Sequence, residues 1–418
     1  MPLRRTCTRL FCLVLGLTAV TCQPRFSRND AGEDGAAKKS ILETIDAASA
    51  SAAQFLVKAQ SSDGAWRSAT YGIMRDGPSL TPLVLSSLFF LPQTREKFQD
   101  AFQKGTEYLI ALVGSDGSVN GTGGGFPYPV YTAAGASWAL ALGAPSERHR
   151  QAQMAWLAYV KERQLTEALG WEASDPEYGG WGYAIGLPRK TELGSSKNGL
   201  AAANLSSTVF ALGALRAADT PAADPSYQKI LTFVKRCQNY TEDPDEVDHD
   251  FDDGGFFFAP NDLIKNKAGL AGKDRLGRRR FSSYGSMTAD GVRALRHGGL
   301  AADHPRVMAA RQWLEQNFAV HTNPGNFSSD REVFRDAYYY YYVWSVSHAF
   351  MHLGLREIVT SKGRLLWPAA LAAELIARQQ ANGSWINRYT DAKEDDPLVA
   401  TPFAAAALAI CRRMLVGG

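Results

Sequence analysis

The sequence predicts an all-α protein: a single (α/α)6 toroid of six helical hairpins, with a ring of inner helices inside a ring of outer ones. Three observations predict it. Helical periodicity recurs twelve times, at about 41–60, 79–92, 98–113, 130–142, 147–165, 203–218, 225–239, 284–297, 304–319, 336–353, 367–381 and 398–414, with no convincing alternating strand run. These helices also alternate in kind. The set at 41–60, 98–113, 147–165, 225–239, 304–319 and 367–381 carries Lys, Arg, Glu and Gln along one face. The other set is nearly uncharged, as in S-L-T-P-L-V-L-S-S-L from Ser79 and L-V-A-T-P-F-A-A-A-A-L from Leu398. A helix apolar all round must be enclosed by protein.

The third observation is a repeat. Gln60, Gly64 and Trp66 return near the other end of the chain as Gln379, Gly383 and Trp385, with the same spacing. The Gly suits a left-handed residue after a helix, the Gln amide can reach orphan backbone groups, and the indole adds apolar area and one donor.

The chargeless helices share a phase. A Thr stands near each start (Thr81, Thr132, Thr208, Thr288, Thr401), and Leu88, Leu215, Leu295 and Leu408 follow seven residues later. Ala139 takes that place in the fifth, and Tyr341 falls where the Thr would be in the sixth. Pro82 and Pro402 fit a first helical turn, where no N–H is needed.

Ahead of the helices, Arg4, Arg5 and Arg9 precede an apolar run from Leu10 to Val20, which matches a secretory signal over 1–22. Cys22 then stands where a lipoprotein carries its lipid, and plain export is the other outcome. Residues 23–40 read as a flexible linker, and no later segment is apolar for long enough to span a bilayer. The expected place is therefore periplasmic, extracellular or anchored to the cell envelope. With 45% apolar residues the chain of 418 should bury a substantial core, and a net charge of +3 does not imply nucleic acid. Cys237 and Cys411 remain after the signal, which is neither a disulfide framework nor a zinc cluster.

The glutamine-to-tryptophan repeats, with the glycine-aromatic turns Gly179–Ala184 and Gly254–Phe258, resemble the squalene cyclase and protein prenyltransferase superfamily over about 41–414. The resemblance implies a cavity for a long isoprenoid, lined by the starts of the inner helices. Squalene–hopene cyclases use an acidic D-x-D-D-T motif on an inner helix after a G-G-W-G turn. The matching stretch here is Asn204–Thr208, with Asn204, Ser206 and Ser207 where the acids belong, and none of these can protonate an alkene. In prenyltransferases a zinc-binding His follows an Arg-Asp pair. Here Arg335-Asp336 is followed by Ala337 and Tyr338–Tyr340, so no metal or other cofactor is expected.

Candidate acids remain. Asp250, Asp252 and Asp253 spell D-x-D-D in a loop that also holds Asp243, Asp245, Glu246 and Asp248; the plain alternative is a solvated loop facing Arg278–Arg280. Asp290 lies on an inner helix two residues after Thr288, where burial would raise its pKa. His348 and His352 are spaced to share a metal but read as core histidines. Candidate ligand-binding residues are Thr208, Trp181, Tyr183, Phe256 and Tyr284, with Tyr338 and Tyr341 from the Tyr-rich helix, where about two of five rings can face the cavity. The expected partner is an apolar isoprenoid, bound or processed. A glycan-binding or glycan-cleaving barrel is the alternative, distinguished by an open groove with facing carboxylates.

Overall fold

In the computed structural model, six helices form a closed inner ring: α2 (Thr81–Phe90), α4 (Pro129–Leu142), α6 (Leu205–Ala217), α8 (Gly285–His297), α11 (Tyr339–His352) and α13 (Pro397–Val416). Each packs on the next in that order, and α13 packs back on α2. The outer helices are α1 (Asp30–Lys58), α3 (Gln99–Ala111), α5 (Glu147–Lys161), α7 (Pro225–Arg236), α9 (Pro305–Asn317) and α12 (Trp367–Arg378). The structure describes residues 30–91, 98–120, 125–142, 146–191, 202–242 and 249–417, with backbone alone for 30–38. The chain divides into Met1–Ser40 and Ile41–Gly418, and the toroid is the second unit.

The inner helices are the chargeless ones for the reason given above. α13 is buried along almost its whole length from Leu398 to Cys411. It is also long and apolar enough to cross a membrane on composition alone, which corrects the expectation that no such segment follows the signal; most of it is covered by protein.

Among the described residues the repeat resolves into a clamp built four times. Trp66 donates its indole N–H to Leu56 O at 2.6 Å and its backbone N–H to Thr81 Oγ1 at 3.0 Å. Trp385 does the same to Leu375 O (2.7 Å) and Thr401 Oγ1 (3.0 Å). Gln60 Nε2 donates to Gly64 O and to Ala101 O of α3, both at 2.8 Å, so one amide ties the turn to the next outer helix. Gln379 closes the ring by donating to Gly383 O and to Ala48 O of α1, both at 2.9 Å. Two further copies carry insertions: Gln164, Gly179, Trp181 and Thr208, and Gln238, Gly254, Phe256 and Thr288. Each buried indole removes roughly 200 Å² from water, ~5 kcal/mol at about 25 cal/mol per Å² as an upper figure.

Beside the helices, the described residues hold two small hairpins. β1 (Leu270–Lys273) pairs antiparallel with β2 (Arg279–Phe281) from Leu270↔Phe281 to Lys273↔Arg279, with a bulge between Leu270 and Gly272. β3 (Ile358–Thr360) pairs with β4 (Gly363–Leu365). The expected 336–353 helix is broken at Tyr338 into α10 (Val333–Ala337) and α11. α1 is helical from Asp30. The signal 1–22, Cys22 and 23–29 lie outside the described residues. Cys237 and Cys411 are buried free thiols.

Gly383 (φ +88) tests the clamp. A Cβ there would meet Ser51 O of α1 at 2.3 Å, in a backbone region L residues rarely adopt. Gly383→Ala is expected to lower unfolding stability by about 3 kcal/mol or more in urea titration, whereas Gly72→Ala, with open space around its Cβ, stays within about 1 kcal/mol.

Candidate functional site

Among the described residues, two chambers lie within the toroid. The upper one, of about 400 Å³, lies at the starts of the inner helices. Tyr131, Ser206, Tyr284, Tyr338, Tyr341 and Phe403 line it, with Tyr183 and Phe258 from the glycine-aromatic turns. The lower one, of about 360 Å³, lies toward the inner-helix ends. Phe90, Trp138, Phe210, Trp344 and His348 line both chambers and form the waist between them. The aromatic rings are in mutual contact: Tyr131–Phe210 centroids are 4.8 Å apart, and Phe210–Trp344 and Trp344–Phe403 are each 5.3 Å apart. Offset and edge contacts of this kind hold the wall stiff.

A chain of hydroxyls crosses the upper wall. Tyr183 and Tyr131 hydroxyls lie 3.3 Å apart, Tyr131 donates to Ser206 Oγ at 2.8 Å, and Ser206 Oγ is 2.6 Å from the Tyr341 hydroxyl. Tyr341 in turn donates to Asp290 Oδ2 at 2.6 Å. Asp290 is fully buried and lines neither chamber; Ser345 (2.5 Å) and Arg293 Nη1 (3.0 Å) donate to its other oxygen. Burial pushes the Asp290 carboxyl up, against the pull of Arg293 and the two hydroxyls. Burial also pushes the Tyr341 phenol well above 10, with the Asp290 charge adding to it.

The stretch 204–208 has a plain structural account. Asn204 caps α6, its Oδ1 accepting from Ser207 N–H at 2.8 Å, and Thr208 Oγ1 donates to Asn204 O at 2.8 Å while accepting from Trp181 N–H. Ser206 alone of this stretch reaches the chamber.

The predicted site residues thus divide. Tyr183, Tyr284, Tyr338 and Tyr341 line the upper chamber. Trp181, Phe256 and Thr208 do not: they are fully buried parts of the clamps, since the indole and the Thr hydroxyl are spent on backbone groups. Tyr339, Tyr340 and Tyr342 point away and donate to Val320 O, Ile386 O and Ala319 O. The D-x-D-D spelling at 250–253 lines neither chamber. Asp252 accepts from Thr241 and from the His249 ring and lies 3.7 Å from Arg280. Asp253 accepts from Gly255 N–H, Ser283 and Trp313 Nε1, so both shape the loop ahead of the Gly254 turn. Asp243, Asp245, Glu246 and Asp248 lie outside the described residues. Among the described residues no group of three or more His, Cys, Asp or Glu could hold a metal.

Sequence reading missed Glu394 and Lys267. Glu394, buried at the chamber wall, accepts from the backbone N–H groups of Tyr340 (3.0 Å) and Tyr341 (2.8 Å) and so caps α11. Burial still pushes its carboxyl up to about 7. Lys267 sits over the Phe334 and Tyr338 rings at 4.8 and 5.6 Å, and burial holds its amine low. The only sequence signal for either was a charge in a loop.

No family model matches the chain, and no curated protein matches it. The architecture is the helical toroid seen in solved type II terpene cyclases. Among solved structures, the chain is similar to the type II terpene cyclase MstE from Scytonema. A variant bound to the product merosterolic acid A matches at 17% identity and TM-score 0.51, over 90% of this chain and 99% of that one. A variant bound to the substrate geranylgeranyl dihydroxybenzoate matches at 17% identity and TM-score 0.52, with the same coverage. A protein from Actinoplanes matches at 13% identity and TM-score 0.51, over 89% and 99%. At these identities the likeness establishes the fold.

The buried groups set a pH dependence. Burial holds the imidazole of His297 at about 3, that of His352 at about 4 and that of His348 well below 6.5, with nearby cationic groups lowering them further. A histidine that is neutral when folded and protonates when unfolded withdraws stability as pH falls from about 6.5 to about 4. Glu394 acts in the opposite sense, because a carboxyl raised to about 7 favours the folded chain as pH falls from 7 toward 4.5. Urea midpoints are expected to fall between pH 6.5 and 4.5, less steeply in His352→Gln and more steeply in Glu394→Gln.

Proposed function

We propose that the protein binds a long apolar isoprenoid in the upper chamber. The observation that carries this reading is the continuous aromatic wall at the inner-helix starts, around a space within the roughly 300–1,000 Å³ of small-molecule sites. The similarity to a Scytonema cyclase seen with geranylgeranyl dihydroxybenzoate supports a prenylated ligand. Acid-initiated cyclisation of the usual kind is not retained in this reading. Where the acids of the D-x-D-D motif would stand, Asn204 is a helix cap and Ser206 a neutral link to Tyr341. Asp290 has both oxygens engaged behind that phenol, which burial makes a poor proton donor. The glycan alternative lacks facing carboxylates: of the two that line the chamber, Glu394 is buried as a helix cap and Asp391 is exposed. We further read 1–22 as an export signal, so that the ligand is met outside the cytoplasm.

Titration of tryptophan fluorescence with geranylgeraniol is expected to show saturable binding, weakened roughly tenfold in Phe403→Ala by lost apolar contact. The recovered alcohol should be chemically unchanged. A cyclised product that disappears in Asp290→Asn would replace binding by acid catalysis.

A further inference from the structure

The lower chamber is chemically unlike the upper one. Arg216, Arg293 and Arg413 line it together with His297, His348 and His352. Inner-helix ends favour some positive charge, because their last carbonyls lack partners. Arg216 is spent partly in this way, with Nε and Nη2 both donating to His297 O. That account does not cover the rest. Asp290 is the carboxylate paired with Arg293, and it is shared with Tyr341 and Ser345. Arg293 is only 6% exposed, and its Nε has no hydrogen-bond partner. Among the described residues Arg413 forms no ion pair, and none of the three imidazoles has a hydrogen-bond partner. His348 is also only 6% exposed and lines the chamber from the waist.

Each neutral imidazole carries one N–H donor, and guanidinium groups carry donors only. The Arg293 Nε–H is a buried donor without an acceptor, which is costly, and three guanidinium groups in a half-enclosed space, only one of them offset by a carboxylate, attract an acceptor-only group. A sodium-like or ammonium ion would be repelled, and a hydrocarbon would leave the donors unmet. A tetrahedral oxyanion presents several acceptor oxygens at once, and pairs with Arg in the fork geometry that carboxylate and phosphate share.

We infer that the lower chamber is a binding site for an oxyanion of the phosphate class, held by Arg216, Arg293 and Arg413 with the three histidines as additional donors. The site stands apart from the isoprenoid reading, since its groups come from the opposite ends of the inner helices. Two sources share this chemistry: free phosphate, or the phosphate end of a chain whose hydrocarbon part lies beyond the aromatic waist.

Calorimetric titration of the full chain with inorganic phosphate, at constant ionic strength, is expected to show saturable one-to-one binding. Arg413→Gln, on the exposed rim, and Arg216→Gln should each weaken it roughly tenfold or more, while Arg148→Gln on the outer ring leaves it unchanged. An unchanged melting temperature for Arg413→Gln shows that the fold is kept. Geranylgeranyl phosphate binding more than tenfold tighter than both phosphate and geranylgeraniol would assign the site to one ligand spanning the waist. Phosphate binding as tight as geranylgeranyl phosphate would assign it to the free anion. Absence of saturable phosphate binding, or binding undiminished in both arginine variants, overturns the inference. Loss of geranylgeraniol binding with phosphate binding intact would strike only the isoprenoid reading.

Discussion

The clamp made by a glutamine amide, a left-handed glycine, an aromatic ring and a threonine hydroxyl is the constraint on which the toroid depends. Each copy solves the same problem, the orphan backbone groups at a helix end and at the start of the next helix. The amide ties neighbouring outer helices, as Gln60 ties its turn to Ala101 O and Gln379 reaches back to Ala48 O. The threonine ties the turn to an inner helix by accepting from the ring residue's backbone N–H. One polar set thereby fixes both rings, and the glycine lets the outer backbones approach to a distance no side chain permits.

Fixing the inner helices in parallel phase gives the cavity its polarity. Their starts surround the upper chamber and their ends the lower one. At the starts, exposed N–H groups are met by caps such as Asn204 and Glu394, and the remaining wall is free to be aromatic. At the ends, an unpaired carbonyl draws in one guanidinium, as His297 O does Arg216. The aromatic waist around Phe210 and Trp344 separates an apolar space from a cationic one. Arg293 joins the two regions electrostatically, since its charge holds Asp290 behind the hydroxyl chain while its guanidinium stacks on Trp344 at 4.2 Å.

Burial here is spent mostly on fold and only locally on chemistry. Trp181, Phe256 and Thr208 look like site residues because they sit beside glycine turns, yet their donors and acceptors are consumed by the clamp. Tyr338 and Tyr341 look like members of an aromatic run, yet the helix break at Tyr338 and the helical turn after it aim these two at the chamber and turn Tyr339, Tyr340 and Tyr342 away.

The architecture was legible in the sequence because its cause is periodic. Chargeless helices must be inside, charged ones outside, and four of the five recurring Thr mark where a turn bonds an inner helix, Thr132 being the one that has no such partner. The two inserted copies of the clamp at Gln164 and Gln238 were hidden, since fifteen or more residues separate each amide from its glycine and spacing no longer signals contact. The site was legible only in part. Asp290 was singled out by being an acid on an apolar helix, but its partners Tyr341 and Ser345 come from another helix more than fifty residues on. Glu394 and the grouping of His297 with His352 depend on packing between neighbouring inner helices, which brings loop 389–396 and the ends of α8 and α11 to shared walls. Local pattern determines which face of a helix is buried; what that face meets is decided by packing between distant segments, and no local pattern encodes it.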